Sequence, residues 1–172
     1  MEQILADLPL KEAASAATSA PLARKRTARP ARGVVAHCVH APSKAAARDF
    51  TPANLIVALR AGLPVAELLQ LQESLGLSME KLLPMLGMSK ATLHRRKASG
   101  RLDPLESDRV VRFARLFGRA IEVMEAEDAA RHWMGSPQIG LGGAVPLDYA
   151  RTEVGAREVE DLLGRIDYGV YS

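Results

Sequence analysis

The stretch LGMSKATLHRRKASG, residues 86–100, decides how this chain is read. One glycine precedes a short polar segment and another closes it, and between them lie Lys90, His94, Arg95, Arg96 and Lys97. Gly87 supplies a tight turn. Ser89 is a helix N-cap, because its hydroxyl accepts an orphan N–H of the first turn. Gly100 suits a left-handed C-terminal cap. Two readings fit a short basic helix set just after a turn: a solvated surface helix, or the recognition helix of a helix-turn-helix unit in a DNA groove.

The register of apolar residues favours the second. Helix-turn-helix units share a pattern with glycine at the ninth position and apolar residues at positions 4, 8, 10, 15 and 18. With Gly87 at the ninth, those places hold Leu82, Leu86, Met88, Leu93 and Arg96, so four of the five fit. Leu83 stands where a small residue usually lets the two helices cross closely, and Arg96 where an aliphatic is expected. Pro84 falls inside the first helix, removes a backbone donor and predicts a kink. The N-terminal end of a recognition helix enters the major groove. Lys90, Thr92, His94 and Arg95 are therefore the candidates for groove and phosphate contacts, and Ser89 and Lys97 for gripping phosphates.

Working outward, the chain reads as all-α. Alanine and leucine dominate, aromatics are scarce, and long alternating β-branched runs are missing. Thr51-Pro52 starts a helix with Leu55, Ile56 and Leu59 apolar, ended by Gly62. Pro64 opens a second, with Val65, Leu68, Leu69 and Leu71, stopping near Gly76; Ser78 caps a third containing Met79, Leu82, Leu83 and Leu86. Asp103-Pro104-Leu105-Glu106 combines an N-cap, a proline at N1 and a glutamate at N3, the ingredients of a capping box. In the long helix that follows, Leu105, Val110, Phe113, Ala114, Phe117, Ile121 and Met124 recur at three- and four-residue steps. Phe113, Phe117 and Ile121 suit either the monomer core or a dimer interface, with the core fitting most of them. Within ESDR (106–109), Glu106 is expected to cap and Arg109 to pair with a carboxylate of its own helix. A short helix over Asp128–Met134 carries Trp133, a core anchor. The Gly/Pro-rich stretch 136–150 then enters a short helix at Pro146, and Thr152 caps a final helix with Val154, Val159, Leu162, Leu163 and Ile166.

Charge is unevenly spread along the 172 residues: residues 1–50 carry +4, residues 51–118 carry +4 and residues 119–172 carry −5. A basic front attracts polyanions, and an acidic back points to a different partner. Residues 1–50 read as a flexible basic leader, with RKRTARPAR at 24–32 and order beginning near Thr51. HCVH (37–40) lacks a second ligand pair at a plausible spacing, so no metal site is expected. Cys38 is the lone cysteine, which excludes an intramolecular disulfide and is consistent with a reducing compartment. No stretch approaches the roughly 20 apolar residues of a membrane span, and no signal peptide is legible, so the expectation is a cytoplasmic protein without a membrane partner. His132 adjoins Trp133 near Glu127 and Asp128, but no serine or cysteine has an evident base. The chain therefore reads as a non-enzyme, with no catalytic residue and no cofactor.

From Ser89 onward a family resemblance emerges. TLHRR (92–96), Leu102, ESDRV (106–110), Ala129-Ala130, Trp133, Pro137, LGGAVPL (141–147) and RTEVGAREVEDLLGRIDYGVYS (151–172) occur in the order seen in the Xre/MbcA/ParS antitoxins of bacterial type II toxin–antitoxin pairs, and the chain resembles that group. The resemblance implies an N-terminal Xre-like helix-turn-helix bundle, residues 51–118, that binds operator DNA and represses its own operon. It implies a small α-helical toxin-binding domain over residues 119–172. The implied partner is a RES-domain toxin that consumes NAD or transfers ADP-ribose. A homodimer is expected, since paired half-sites are usual for this motif. Tyr168, Val170 and Tyr171 are apolar and aromatic residues in a tail with little core left to fill. With Gly169 and Arg165 they are the candidate toxin contacts, the alternative being a tail docked on its own domain. The glycines of the LGG turn are read as turn residues needing positive φ. The competing overall reading is a solitary DNA-binding transcription regulator with a C-terminal dimerisation domain.

Overall fold

The computed structural model describes residues 33–39 and 51–170. Among them the regular elements are helical: α1 (Val34–Val39), α2 (Pro52–Ala61), α3 (Val65–Leu75), α4 (Met79–Met85), α5 (Lys90–Ser99), α6 (Pro104–Met124), α7 (Glu127–Gly135), a 3-10 turn (Ile139–Leu141), α8 (Pro146–Tyr149) and α9 (Glu153–Asp167). The all-α expectation holds.

The architecture is organised around α6. Its capping box forms as anticipated: the Asp103 carboxylate accepts the Leu105 N–H at 2.9 Å, and Glu106 Oε2 accepts the Asp103 N–H at 2.8 Å. Val110, Phe113, Ala114, Phe117 and Ala120 are fully buried along one stripe, and α1, α2, α3, α7 and α9 all pack against this helix. Phe113 and Phe117 are thus core residues with no surface left for a dimer contact, and Ile121 packs partly buried against the same core. Trp133 is likewise half-buried against it. Residue 118, where the two domains were expected to meet, lies inside α6, and the described residues form one compact unit.

The leader expectation is corrected at residues 33–39. Instead of order beginning near Thr51, α1 places Val34, Val35, Ala36 and Val39 in the core. Two features seat it. The buried Glu67 carboxylate of α3 accepts the N–H groups of Val34 at 3.0 Å and Val35 at 2.8 Å, so an acid from another helix caps α1 and meets its positive end. At the crossing with α6, Gly118 lets the backbones touch, since a Cβ there would lie 1.9 Å from the Cys38 carbonyl oxygen. Burial pushes the Cys38 thiol up to about 11, so it stays protonated at neutral pH. His40 and the basic stretch 24–32 lie outside the described residues.

Other local expectations shift by smaller amounts. Ile56, Leu69, Leu105 and Val154, counted with the apolar faces, are exposed: Leu69, Leu105 and Val154 sit beside buried positions of their helices, and α2 buries no residue fully. The kink expected at Pro84 becomes the end of α4, a seven-residue helix. Arg109 pairs with no carboxylate of its own helix; its Nη1 donates to the Leu86 carbonyl at 2.8 Å, bracing the turn between α4 and α5. Ser107 does what nothing nearby in sequence suggests. Its buried hydroxyl accepts the Leu63 N–H at 2.8 Å and donates to the Asp103 carbonyl at 2.8 Å, tying the α2–α3 connection to the start of α6.

Candidate functional site

The helix-turn-helix unit is built from α4 and α5. Gly87 takes φ +64°, the left-handed turn the motif requires at its ninth position. Leu82, Leu86, Met88 and Leu93, the four apolar matches, are all buried. Leu83, where a small residue was expected, is buried too, and a shallow cleft lined by Met79, Leu83, Leu93 and Lys97 opens between the helices beside it. Arg96 takes another route to the same anchoring role. Its Nε donates to Glu106 Oε2 at 2.8 Å, and Asp103 lies 3.7 Å from its Nη2. The hydrogen bond to Glu106 holds this guanidinium's pKa above its ordinary value. The residue that broke the apolar pattern thus ties the recognition helix to the capping box of α6.

Ser89 caps α5, its Oγ accepting the Thr92 N–H at 3.0 Å and lying 2.9 Å from Thr92 Oγ1. Lys90, His94, Arg95 and Lys97 are exposed on this helix, and Thr92 is half-buried. Arg95 makes a 3.4 Å contact to Thr92 Oγ1 and is otherwise extended into solvent, so its fork remains available. Lys90 is not idle: its ammonium lies 2.5 Å from Glu80 Oε1 on α4, and that bond and charge hold the Glu80 carboxyl below its usual range. Sequence inspection missed Glu80, because the pair spans ten residues and two helices and matches no i,i+4 pattern. Glu80→Gln is expected to free Lys90 and tighten DNA binding about two- to fivefold, the worth of an exposed pair, with the gain fading as salt rises. Unchanged affinity in a fluorescence-anisotropy titration would place Lys90 outside the DNA contact.

The other candidate residues cluster at the far end of α9. The helix closes with Gly169 at φ +68°, the Gly169 N–H donating to Ile166 O at 3.0 Å and the Val170 N–H to Arg165 O at 2.9 Å, the paired bonds of a Schellman stop. Arg119 of α6 reaches Asp167 at 2.7 Å and fixes this end against the body of the protein. Tyr168 is 82% and Val170 53% exposed, so neither is docked on its own domain. Arg165 is half-buried, and Tyr171 lies outside the described residues. The LGG turn behaves as read: Gly142 and Gly143 take φ +66° and +85°, and a Cβ on either would meet nothing within 4 Å, so conformation rather than crowding selects glycine there.

Among the described residues no group of three or more His, Cys, Asp or Glu side chains is arranged to hold a metal ion, and no helix is long and apolar enough to cross a membrane.

Taken together, the fold pairs a helix-turn-helix unit, the architecture of a DNA-binding class of proteins, with a following helical region that ends on an exposed tyrosine. Comparison with known proteins makes this specific. Residues 55–115 match the model of the antitoxin Xre-like helix-turn-helix domain, and residues 118–169 that of the antitoxin Xre/MbcA/ParS C-terminal toxin-binding domain. A protein of Photorhabdus laumondii subsp. laumondii described as antitoxin Xre is 32% identical over 121 residues, 69% of this chain and 82% of that one. A protein of the same description from Yersinia enterocolitica is 40% identical over 85 residues, 49% of this chain and 57% of that one, so the match spans little more than half of the Yersinia relative. The chain belongs to the Xre antitoxin family.

Proposed function

We propose that this chain is the antitoxin of a type II toxin–antitoxin module. It binds and neutralises its toxin through residues beyond about 119, and it represses its own operon by setting α5 in the operator's major groove. The observation that carries this reading is the tandem of two matched domains in which the candidate contact residues, Arg95 on α5 and Tyr168 beyond α9, are exposed rather than consumed by the fold. The partner we infer is a RES-type toxin that consumes NAD or transfers ADP-ribose, acting in the cytoplasm. Ser89, Lys90, Thr92, His94, Arg95 and Lys97 are assigned to DNA, and Arg165, Tyr168, Gly169, Val170 and Tyr171 to the toxin. Homodimerisation on paired half-sites belongs to the same proposal; since Phe113 and Phe117 are consumed by the core, another face must supply the contact.

Arg95→Ala separates the two activities. Loss of a bidentate arginine–base contact should weaken operator binding about 5- to 150-fold, while capture of the protein encoded by the adjacent reading frame stays at the wild-type level. Mobility shifts on the operon's own promoter and a tagged pull-down read the two arms. Loss of both would mark a folding defect or a wrong division of labour, and unchanged DNA binding would remove Arg95 from the interface.

A further inference from the structure

Several apolar side chains of the C-terminal region are exposed, and one of them stands almost wholly in solvent. Ile139 is 97% exposed, more than any other large hydrophobic residue among those described. Single surface aliphatics are ordinary, but this one sits on a braced base. It opens the 3-10 turn Ile139–Leu141, whose Leu141 is buried. The Gln138 N–H donates to Ala144 O at 3.0 Å and the Gly143 N–H returns to Gln138 O at 2.9 Å. The Gln138 side-chain amide donates to the carbonyls of Trp133 at 2.9 Å and Ser136 at 3.1 Å. The backbone of the turn lies directly on α9, since a Cβ at Gly140 would come within 2.5 Å of Leu162 Cδ1. The turn is therefore held from below on several sides while its first side chain is left in water.

Its location adds meaning to that exposure. Residues three and four apart share a helix face, so from Leu162 the neighbouring positions along α9 are Glu158 and Arg165, and Tyr168 follows one step further. The turn borders the edge of α9 that carries two of the residues assigned to the toxin. Exposed Glu158 and Asp161 stand on this face, and residues 119–172 as a whole carry twice as many acidic as basic side chains, five Lys/Arg against ten Asp/Glu.

We infer that Ile139 is an anchor of the toxin-binding surface, entering an apolar pocket on the toxin whose rim is basic. The inference rests on the toxin-binding reading of this region and extends its contact from the chain end to the 3-10 turn. A rigid knob loses little conformational freedom on docking, which is how a single side chain becomes a hot spot. The basic rim follows from charge complementarity with the acidic excess of residues 119–172.

The test uses the full chain and the protein encoded by the adjacent reading frame, titrated by calorimetry. Wild type, Ile139→Asp, Ile139→Leu and the chain ended at Ile166 are compared, with light scattering of each free chain. Ile139→Asp is expected to bind about 30-fold more weakly or worse, and Ile139→Leu within a few-fold of wild type. Melting temperature and oligomeric state should not change, because the side chain touches little of its own protein. If Ile139→Asp binds like wild type while the shortened chain does not, the anchor proposal fails and the toxin-binding reading stands. If wild type itself binds nothing, the toxin-binding reading fails and takes the anchor with it. If Ile139→Asp breaks a dimer and leaves toxin binding intact, the turn meets a second copy of this chain and the proposal is overturned.

Discussion

A chain ended at Ile166 is expected to fold and to lose its toxin. The deletion removes Tyr168 and Val170, both exposed, together with the glycine whose positive φ stops α9. Aromatic anchors at the centre of an interface contribute about 2–4 kcal/mol each when truncated, so capture should weaken on the order of 100-fold or more. The fold has less at stake. The ion pair between Arg119 and Asp167 is partly exposed, and pairs of that kind are worth about 1 kcal/mol or less. A melting temperature within a few degrees of wild type, alongside lost pull-down, is the expected pair of results. Asp167→Asn is the control, breaking the Arg119 contact while keeping the tail, and should bind nearly as wild type. A shortened chain that still rescues cells from the toxin would move the inhibitory contact elsewhere.

The second large effect concerns α1. Gly118→Ala places a methyl group where the Cys38 carbonyl already stands, 1.9 Å from the new carbon. Both partners are backbone, so no rotamer change relieves the overlap and α1 must move away from α6. Overpacking of this kind costs about 3 kcal/mol. Displacement would also leave the Glu67 carboxylate buried without the Val34 and Val35 N–H groups it now accepts. Chemical denaturation should show the loss, and hydrogen exchange should show it concentrated in the amides of residues 35–39. An unchanged midpoint with those amides still protected would mean that α1 does not cross α6 as described.

These cases also mark where the sequence was legible. The capping box at Asp103–Glu106, the Gly87 turn, the Ser89 cap and the glycine stop at Gly100 were all readable, because each is a short-range agreement between backbone geometry and one or two side chains. Illegible were the features whose partner lies far along the chain. VVAHCV at 34–39 has no local cap and only six residues, since its cap is Glu67, more than thirty positions away. Arg96 looked like a defect in an apolar pattern until Glu106 stood beside it. Arg109 was expected to find a carboxylate within its own helix and instead holds a carbonyl across the motif's turn. The candidate residues on α5 could be named from the motif, but Glu80's hold on Lys90 could not, because crossing geometry alone brings them together.

The sharing of α6 between the two matched regions bears on how such proteins can be recombined. Two arginines of the second region also reach back to the first: Arg131 of α7 to the carbonyl of Ser74 at 2.7 Å, and Arg151 to that of Pro84 at 3.4 Å. A graft made at residue 118 would saw through a single rod and leave each half with an unfilled core and guanidinium groups reaching for absent carbonyls. Changing surface residues on the intact body is therefore the expected route to a new partner specificity, rather than trading whole modules. In this architecture the helix-turn-helix region and the C-terminal region share one core and one central helix.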